Sequence, residues 1–173
     1  TGGAGRVSGT GALKSIRTEE MYRPRIYLDT SVIGGCFDDE FKQYSNQLFE
    51  EFISGKKRVV ISDIVLFELE GAPENVKEVL NKVAEDSIEY VFLDEESISL
   101  ANTYLKEGVI AAGSFSDARH IAIATVERVD VLVSWNFKHI VNLNRIHLIN
   151  SVNLKLGYPI LEIRSPMEVI YEG

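Results

Sequence analysis

Four short stretches of the chain hold the residue types that chemistry on a phosphate ester needs. They are Leu28-Asp29-Thr30-Ser31, Val65-Leu66-Phe67-Glu68-Leu69, Ser116-Asp117-Ala118-Arg119-His120-Ile121-Ala122 and Ser134-Trp135-Asn136-Phe137. Carboxylates, amide oxygens and water suit hard ions such as Mg²⁺ and Mn²⁺. Converging carboxylates repel one another, and a divalent ion relieves that repulsion. Such an ion lowers the pKa of a bound water and polarises phosphoryl oxygens, which is the chemistry of phosphodiester hydrolysis.

Each residue also has a plainer role open to it. Asp29 is placed to cap the helix that follows it. Glu68 is a candidate solvent-facing residue, and Glu70 competes with it. Asp117 suits a helix N-terminus for dipole reasons alone. Asn136 has the character of a turn residue, and Ser31 and Ser134 that of local hydrogen-bonders. His120 and His139 fit as partly exposed structural histidines. Arg119 and Lys138, beside the motif residues, read equally as phosphate holders or as solvated cations. Trp135 and Phe137 flank Asn136 and suit either base stacking or packing, with packing favoured.

The elements that must position these residues are legible from periodicity. Residues 25–29 read as a buried strand ending in an acid, followed by a turn and a short helix start. Phe41, Tyr44, Leu48 and Phe52 recur at helical spacing over residues 40–54, and Gly55 stops that helix. Residues 58–61 make a second strand, and Ser62 caps the next helix, which ends at Gly71 and Pro73. Residues 74–85 predict one amphipathic helix, 88–93 a strand and 94–107 a helix. Ser116 is the expected cap of a helix running to about Glu127. A strand over 129–134, a helix over 142–156 and a last strand over 159–163 complete the domain. Short apolar strands alternating with helices predict a mostly parallel sheet with helices on both faces. Ligand sites in such folds gather beyond the carboxyl ends of the strands, where Asp29 and the 134–136 segment fall.

Composition narrows the classes. The 173 residues, 45% of them hydrophobic, suit one domain with a full core. The apolar stretches are strand-sized, so no membrane span is expected. Cys36 stands alone and forms no internal disulfide, which predicts a reducing, cytoplasmic setting. With His120, His139 and His147 scattered, no zinc cluster forms. Gly34-Gly35 is too short to cradle a triphosphate. Residues 1–20, rich in Gly, Ser and Thr, read as an appended non-native tail or a flexible arm, and residues 21–173 as the domain. Arg6, Lys14 and Arg17 against Glu19 and Glu20 give that tail a net +1, which leaves −9 on the rest of a chain whose total is −8. Such a domain repels polyphosphate at long range, so duplex binding by charge alone is not expected. Lys56, Lys57 and Arg58 form one short basic run.

Taken in order, the four motifs resemble the PIN-domain family, including VapC-type toxins of toxin–antitoxin pairs, over nearly all of residues 25–163. The haloacid-dehalogenase phosphatase pattern needs a second Asp where Ser31 stands, and is set aside. The resemblance implies a three-layer α/β/α fold around a central, mostly parallel sheet. It implies Asp29, Glu68 and Asp117 as acids for Mg²⁺ or Mn²⁺, and Asn136 where many members carry a fourth acid. Ser31 and Ser134 match supporting hydroxyl positions, with Arg119 and Lys138 as further candidates. The implied activity is metal-dependent hydrolysis of RNA, single-stranded or in loops. An antitoxin and a second copy of the chain are the implied protein partners. For the homodimer, the apolar faces of residues 41–52 and 76–83 are the candidate contacts. The alternative is a PIN-type binding module with little or no activity.

Overall fold

The computed structural model describes residues 22–170. The tail expected over residues 1–20 lies outside them. Five strands form one sheet: β1 (Arg25–Leu28), β2 (Arg58–Ser62), β3 (Ile88–Val91), β4 (Val131–Val133) and β5 (Ile163–Arg164). Their spatial order is β3-β2-β1-β4-β5, and every pairing is parallel. Among the described residues, eight α-helices surround the sheet. They are α1 (Thr30–Gly35), α2 (Lys42–Ile53), α3 (Asp63–Leu69), α4 (Glu74–Lys77), α5 (Glu95–Lys106), α6 (Phe115–Val126), α7 (Leu143–Lys155) and α8 (Pro166–Ile170). This is the three-layer α/β/α architecture expected.

Period-two alternation divides the core. Tyr27, Val60, Leu132 and Ile163 point to the face covered by α5, α6 and α7, against Leu100, Tyr104, Ile121 and Val152. Ile26, Leu28, Val59, Ile61 and Val133 point to the other face, against Val32, Leu48, Phe52, Val65 and Leu69. Strands buried on both faces must be apolar throughout, which is why these segments read as continuous hydrophobic runs. Burying one such side chain fully is worth about 1.5–3 kcal/mol.

Several local details differ from the sequence reading. Residues 74–85 form one short α turn followed by 3₁₀ helix over Glu78–Lys82 and Glu85–Ser87, rather than a single helix. Val76, Val79, Leu80 and Val83 are buried there, as are Leu48, Phe49 and Phe52 on α2. Both apolar faces expected as dimer contacts are therefore core. Ser62 does cap α3, its Oγ accepting from Val65 N. The helix expected to be capped by Ser116 begins at Phe115, so Ser116 lies in its first turn, and its N-cap, Ser114, makes no side-chain cap bond. Gly55 ends the α2 region at φ +82°, a backbone state that glycine tolerates without strain. Among the described residues no helix is long and apolar enough to cross a membrane.

Candidate active site

The chain leaves β1 for β2 on one side and returns to β4 on the other, so the strand order reverses between β1 and β4. That switch point is where open α/β sheets leave a crevice. Leu28 pairs with Val133 in the parallel register, which sets Asp29 and Ser134 side by side just beyond it. Asp29 is buried and occupies the N-cap position of α1, yet its side chain makes no capping bond. Its Oδ1 accepts from Ser31 Oγ at 2.6 Å and its Oδ2 from Ser134 Oγ. Ser31 Oγ also accepts from Trp135 N at 3.0 Å, and Ser134 Oγ from Asn136 N at 2.9 Å.

Glu68 reaches the same crevice from the last turn of α3. Its Oε2 accepts from Thr30 Oγ1, the residue after Asp29. Its Oε1 accepts from Ser116 Oγ at 2.8 Å, the residue before Asp117, and lies 3.1 Å from His120 Nε2. Asp117, in the first turn of α6, lies 3.4 Å from Asn136 Nδ2. Hydrogen bonds thus link Asp29 through Ser134 and Asn136 to Asp117, and tie Glu68 to Ser116 and Thr30, the chain neighbours of Asp117 and Asp29. Glu70 is exposed on the rim of a separate groove with Leu66, Lys77 and Tyr90, so Glu68 is the glutamate of this cleft.

The electrostatics follow from burial and crowding. Burial pushes the Asp29 carboxyl above its usual range against the pull of the Ser134 and Ser31 hydroxyls, and Asp117 adds to the push. Asp117 is also raised, first by burial and further by Glu68, while His139 and His120 oppose. Burial would raise Glu68 too, but hydrogen bonds from His120 and Thr30 prevail and hold it at about 2. One carboxylate is therefore firmly ionised while two resist ionisation.

Asn136 presents its amide nitrogen, not its oxygen, to Asp117, because Oδ1 accepts from His139 N at 2.9 Å. Trp135 is a core residue: it stacks on Phe41 with centroids 4.3 Å apart, and its Nε1 donates to Ser45 Oγ at 2.8 Å. Phe137 remains exposed, as do Arg119 and Lys138. The roles of Thr30 and Ser116 were not visible in the sequence, where a hydroxyl beside an acid suggests a cap. The three-residue spacing from Asp117 to His120 was a readable signal, since it puts both on one side of a helix.

Among the described residues, no three His, Cys, Asp or Glu side chains stand close enough together to hold a metal ion. The donor chemistry nonetheless fits a hard divalent ion. All three acids offer oxygen, two are destabilised by burial and by one another, and Mg²⁺ keeps several waters that bridge wider gaps.

No protein-family model matches the chain, and no curated protein matches it in sequence. Solved structures do. FitAcB from Neisseria gonorrhoeae superposes with a TM-score of 0.52 at 14% identity, over 82% of this chain and 98% of that one. VapBC2 from Rickettsia felis, bound to a DNA fragment from its promoter, gives 0.50 at 19% identity over 82% and 98%. A toxin–antitoxin complex from Klebsiella pneumoniae gives 0.50 at 19% over 66% and 88%. The chain has a PIN-like fold. In this PIN-like chain the acids of three separate motifs lie near the β1/β4 switch point, close enough for Asp117 to raise Asp29 and for Glu68 to raise Asp117.

Proposed function

We propose that the chain is a metal-dependent endoribonuclease of the VapC type, using Mg²⁺ or Mn²⁺ to cleave single-stranded or loop RNA as the toxin of a toxin–antitoxin pair. The observation that carries this reading is the set of polar contacts that ties Asp29, Asp117 and Glu68, directly or through their chain neighbours, to the β1/β4 switch point. Likeness to toxin–antitoxin complexes supports it at the level of the fold.

Asp29, Glu68 and Asp117 would hold the ion, which supplies an acidified water and a polarised phosphoryl oxygen. Ser31 and Ser134 fix both oxygens of Asp29, and Thr30 and Ser116 fix Glu68. Asn136 orients Asp117, and its outward nitrogen is a donor for a substrate oxygen. Arg119 and Lys138 supply local positive charge in a chain of net charge −8. Phe67, Phe115 and Phe137, 72%, 56% and 48% exposed, each lie within two residues of Glu68, Asp117 or Asn136. Exposed rings beside a phosphodiester site suit unstacked bases, whereas the acidic surface disfavours duplex.

The proposal includes an antitoxin and a second copy of the chain as protein partners. Phe67, Tyr90 and Phe92 offer exposed apolar surface for such contacts in place of the buried α2 and 76–83 faces. The binding-module reading is favoured by two observations: both Glu68 oxygens are already engaged by protein donors, and among the described residues no three acids stand close enough together to hold a metal ion.

The deciding assay incubates the purified chain with structured and unstructured RNA, with Mn²⁺ or with chelator. Cleavage of the unstructured RNA that needs metal and is lost in Asp117→Asn is the expected result. If the parent cuts neither RNA with any metal, the binding module takes its place.

A further inference from the structure

His120 is the one buried histidine among the described residues, and it stands between two parts of the fold. Its Nε2 lies 3.1 Å from Glu68 Oε1. Its Nδ1 lies 2.7 Å from the Tyr27 hydroxyl, which lies 2.8 Å from Ser62 Oγ. The Tyr27 and His120 rings meet edge to face, centroids 5.8 Å apart at 66°. Tyr27 and Ser62 are fully buried and His120 is 3% exposed. Ser62 caps α3 and Glu68 closes the last turn of that helix, so this polar line runs from the head of α3 through β1 and α6 back to its tail.

We propose that His120 is a positioning residue: its Nε2–H holds the Glu68 carboxylate in place between Thr30 and Ser116, and the Tyr27 hydroxyl locks the ring that does so. An ionised carboxylate has only acceptors, so the nitrogen facing it must donate. Burial of both rings removes any competing water, and a buried, fully partnered polar chain has one low-energy arrangement. Thr30 and Ser116 reach Glu68 on rotatable hydroxyls; the imidazole is the rigid donor. The inference presupposes the metal site of the proposed function and adds to it a support that reaches into the core.

Mn²⁺ affinity, measured by calorimetry on the full chain, separates the two claims. Loss of a hydrogen-bond partner behind a metal ligand lowers metal affinity about 10- to 100-fold. His120→Ala is expected to show that loss, and His120→Gln, whose amide donates from nearly the same place, to recover most of it. His120→Asn, too short to reach Glu68, should not recover it. Tyr27→Phe removes a single oxygen, keeps the ring packing and is expected to weaken binding several-fold in a chain that still folds, at a lower melting temperature because His120 and Ser62 lose a buried partner. It decides the matter if His120→Ala does not fold. Parent-like affinity in a folded His120→Ala or in Tyr27→Phe overturns the positioning role while leaving the metal site intact. A parent that binds no Mn²⁺ overturns the metal reading itself, and this inference with it.

Discussion

Ser134 Oγ donates to Asp29 Oδ2 across the seam between β4 and β1, joining residues 105 apart in sequence. The bond exists because Leu28 and Val133 are register partners and each is the last residue of its strand. It sits at the bottom of the crevice, where Ser134 is fully buried and Asp29 is 5% exposed. A buried carboxylate held by two hydroxyls is poorly compensated for its lost hydration, which is why Asp29 is raised rather than lowered.

That imbalance has a sign in stability. A carboxyl whose folded pKa exceeds its unfolded value makes the folded state bind more protons, so stability falls as pH rises through the unfolded value, 3.8, up to the folded one. Asp29→Asn removes this penalty. The variant is expected to melt higher than the parent at neutral pH in chelator, with the gain vanishing as pH falls below the ordinary carboxylate range. Melting curves between pH 3 and pH 7 measure it, and a variant less stable than the parent at pH 7 refutes the burial argument.

Glu68, in the last turn of α3, and Glu70, its C-cap with helical backbone, are two residues apart and project about 200° from each other around the helix axis. Only Glu68 meets Thr30, Ser116 and His120. Glu68→Gln is expected to abolish metal-dependent RNA cleavage and Glu70→Gln to leave it within about twofold, an energy below ~0.5 kcal/mol. Glu68 also has the opposite pH behaviour to Asp29. Its lowered pKa contributes stability that is complete above 4.5 and lost as pH falls toward about 2, so Glu68→Gln should flatten the acid limb of the melting profile.

The sheet was legible because apolar runs such as residues 58–61 have few other uses, and Asp29 was legible because it ends one. The stretch 74–85 misled because Val76, Val79, Leu80 and Val83 recur at spacings that serve a 3₁₀ turn as well as an α-helix, so their burial was foreseeable but not their path. Ser116 illustrates the other limit. A serine before a helix is a cap by local logic, and only the tertiary approach of α3 gives its hydroxyl a better acceptor in Glu68. Asn136 lies beside Asp117 just beyond β4, but its amide orientation depends on His139 N, a contact no spacing rule reveals. Trp135 went inward because Ser45 and Phe41 receive it.

Gly35 makes that inward packing possible. A Cβ there would lie 2.6 Å from Ser45 Oγ and 2.8 Å from Trp135 Nε1, closer than real Cβ contacts come. Both atoms belong to one buried hydrogen bond, so neither can move without breaking it. Gly35→Ala is expected to destabilise the fold by about 1–3 kcal/mol, the usual range for overpacking. It should also red-shift the fluorescence of Trp135, the single tryptophan, as the indole loses its burial. Unchanged fluorescence and melting would show that α1 shifts to accommodate the methyl group.

Metal binding should carry the protonation signature of this particular site. A divalent ion binds ionised carboxylates, and here burial raises Asp29 and Asp117 while Glu68 stays ionised down to about 2. Any proton held by Asp29 or Asp117 must leave when the ion enters. Mn²⁺ affinity is therefore expected to rise with pH across the window from the ordinary carboxylate value upward, and to level off once both groups are ionised in the free protein. Calorimetry in two buffers of different ionisation enthalpy would detect protons released in the rising part of that window and none on the plateau. Asp29→Asn and Asp117→Asn should each weaken binding and each remove part of the pH dependence, whereas Glu68→Gln should weaken binding and move the dependence to lower pH, because Asp117 loses a charge that raises it. A slope unaffected by Asp29→Asn and Asp117→Asn alike would place the titrating groups elsewhere and remove the crevice from the metal site.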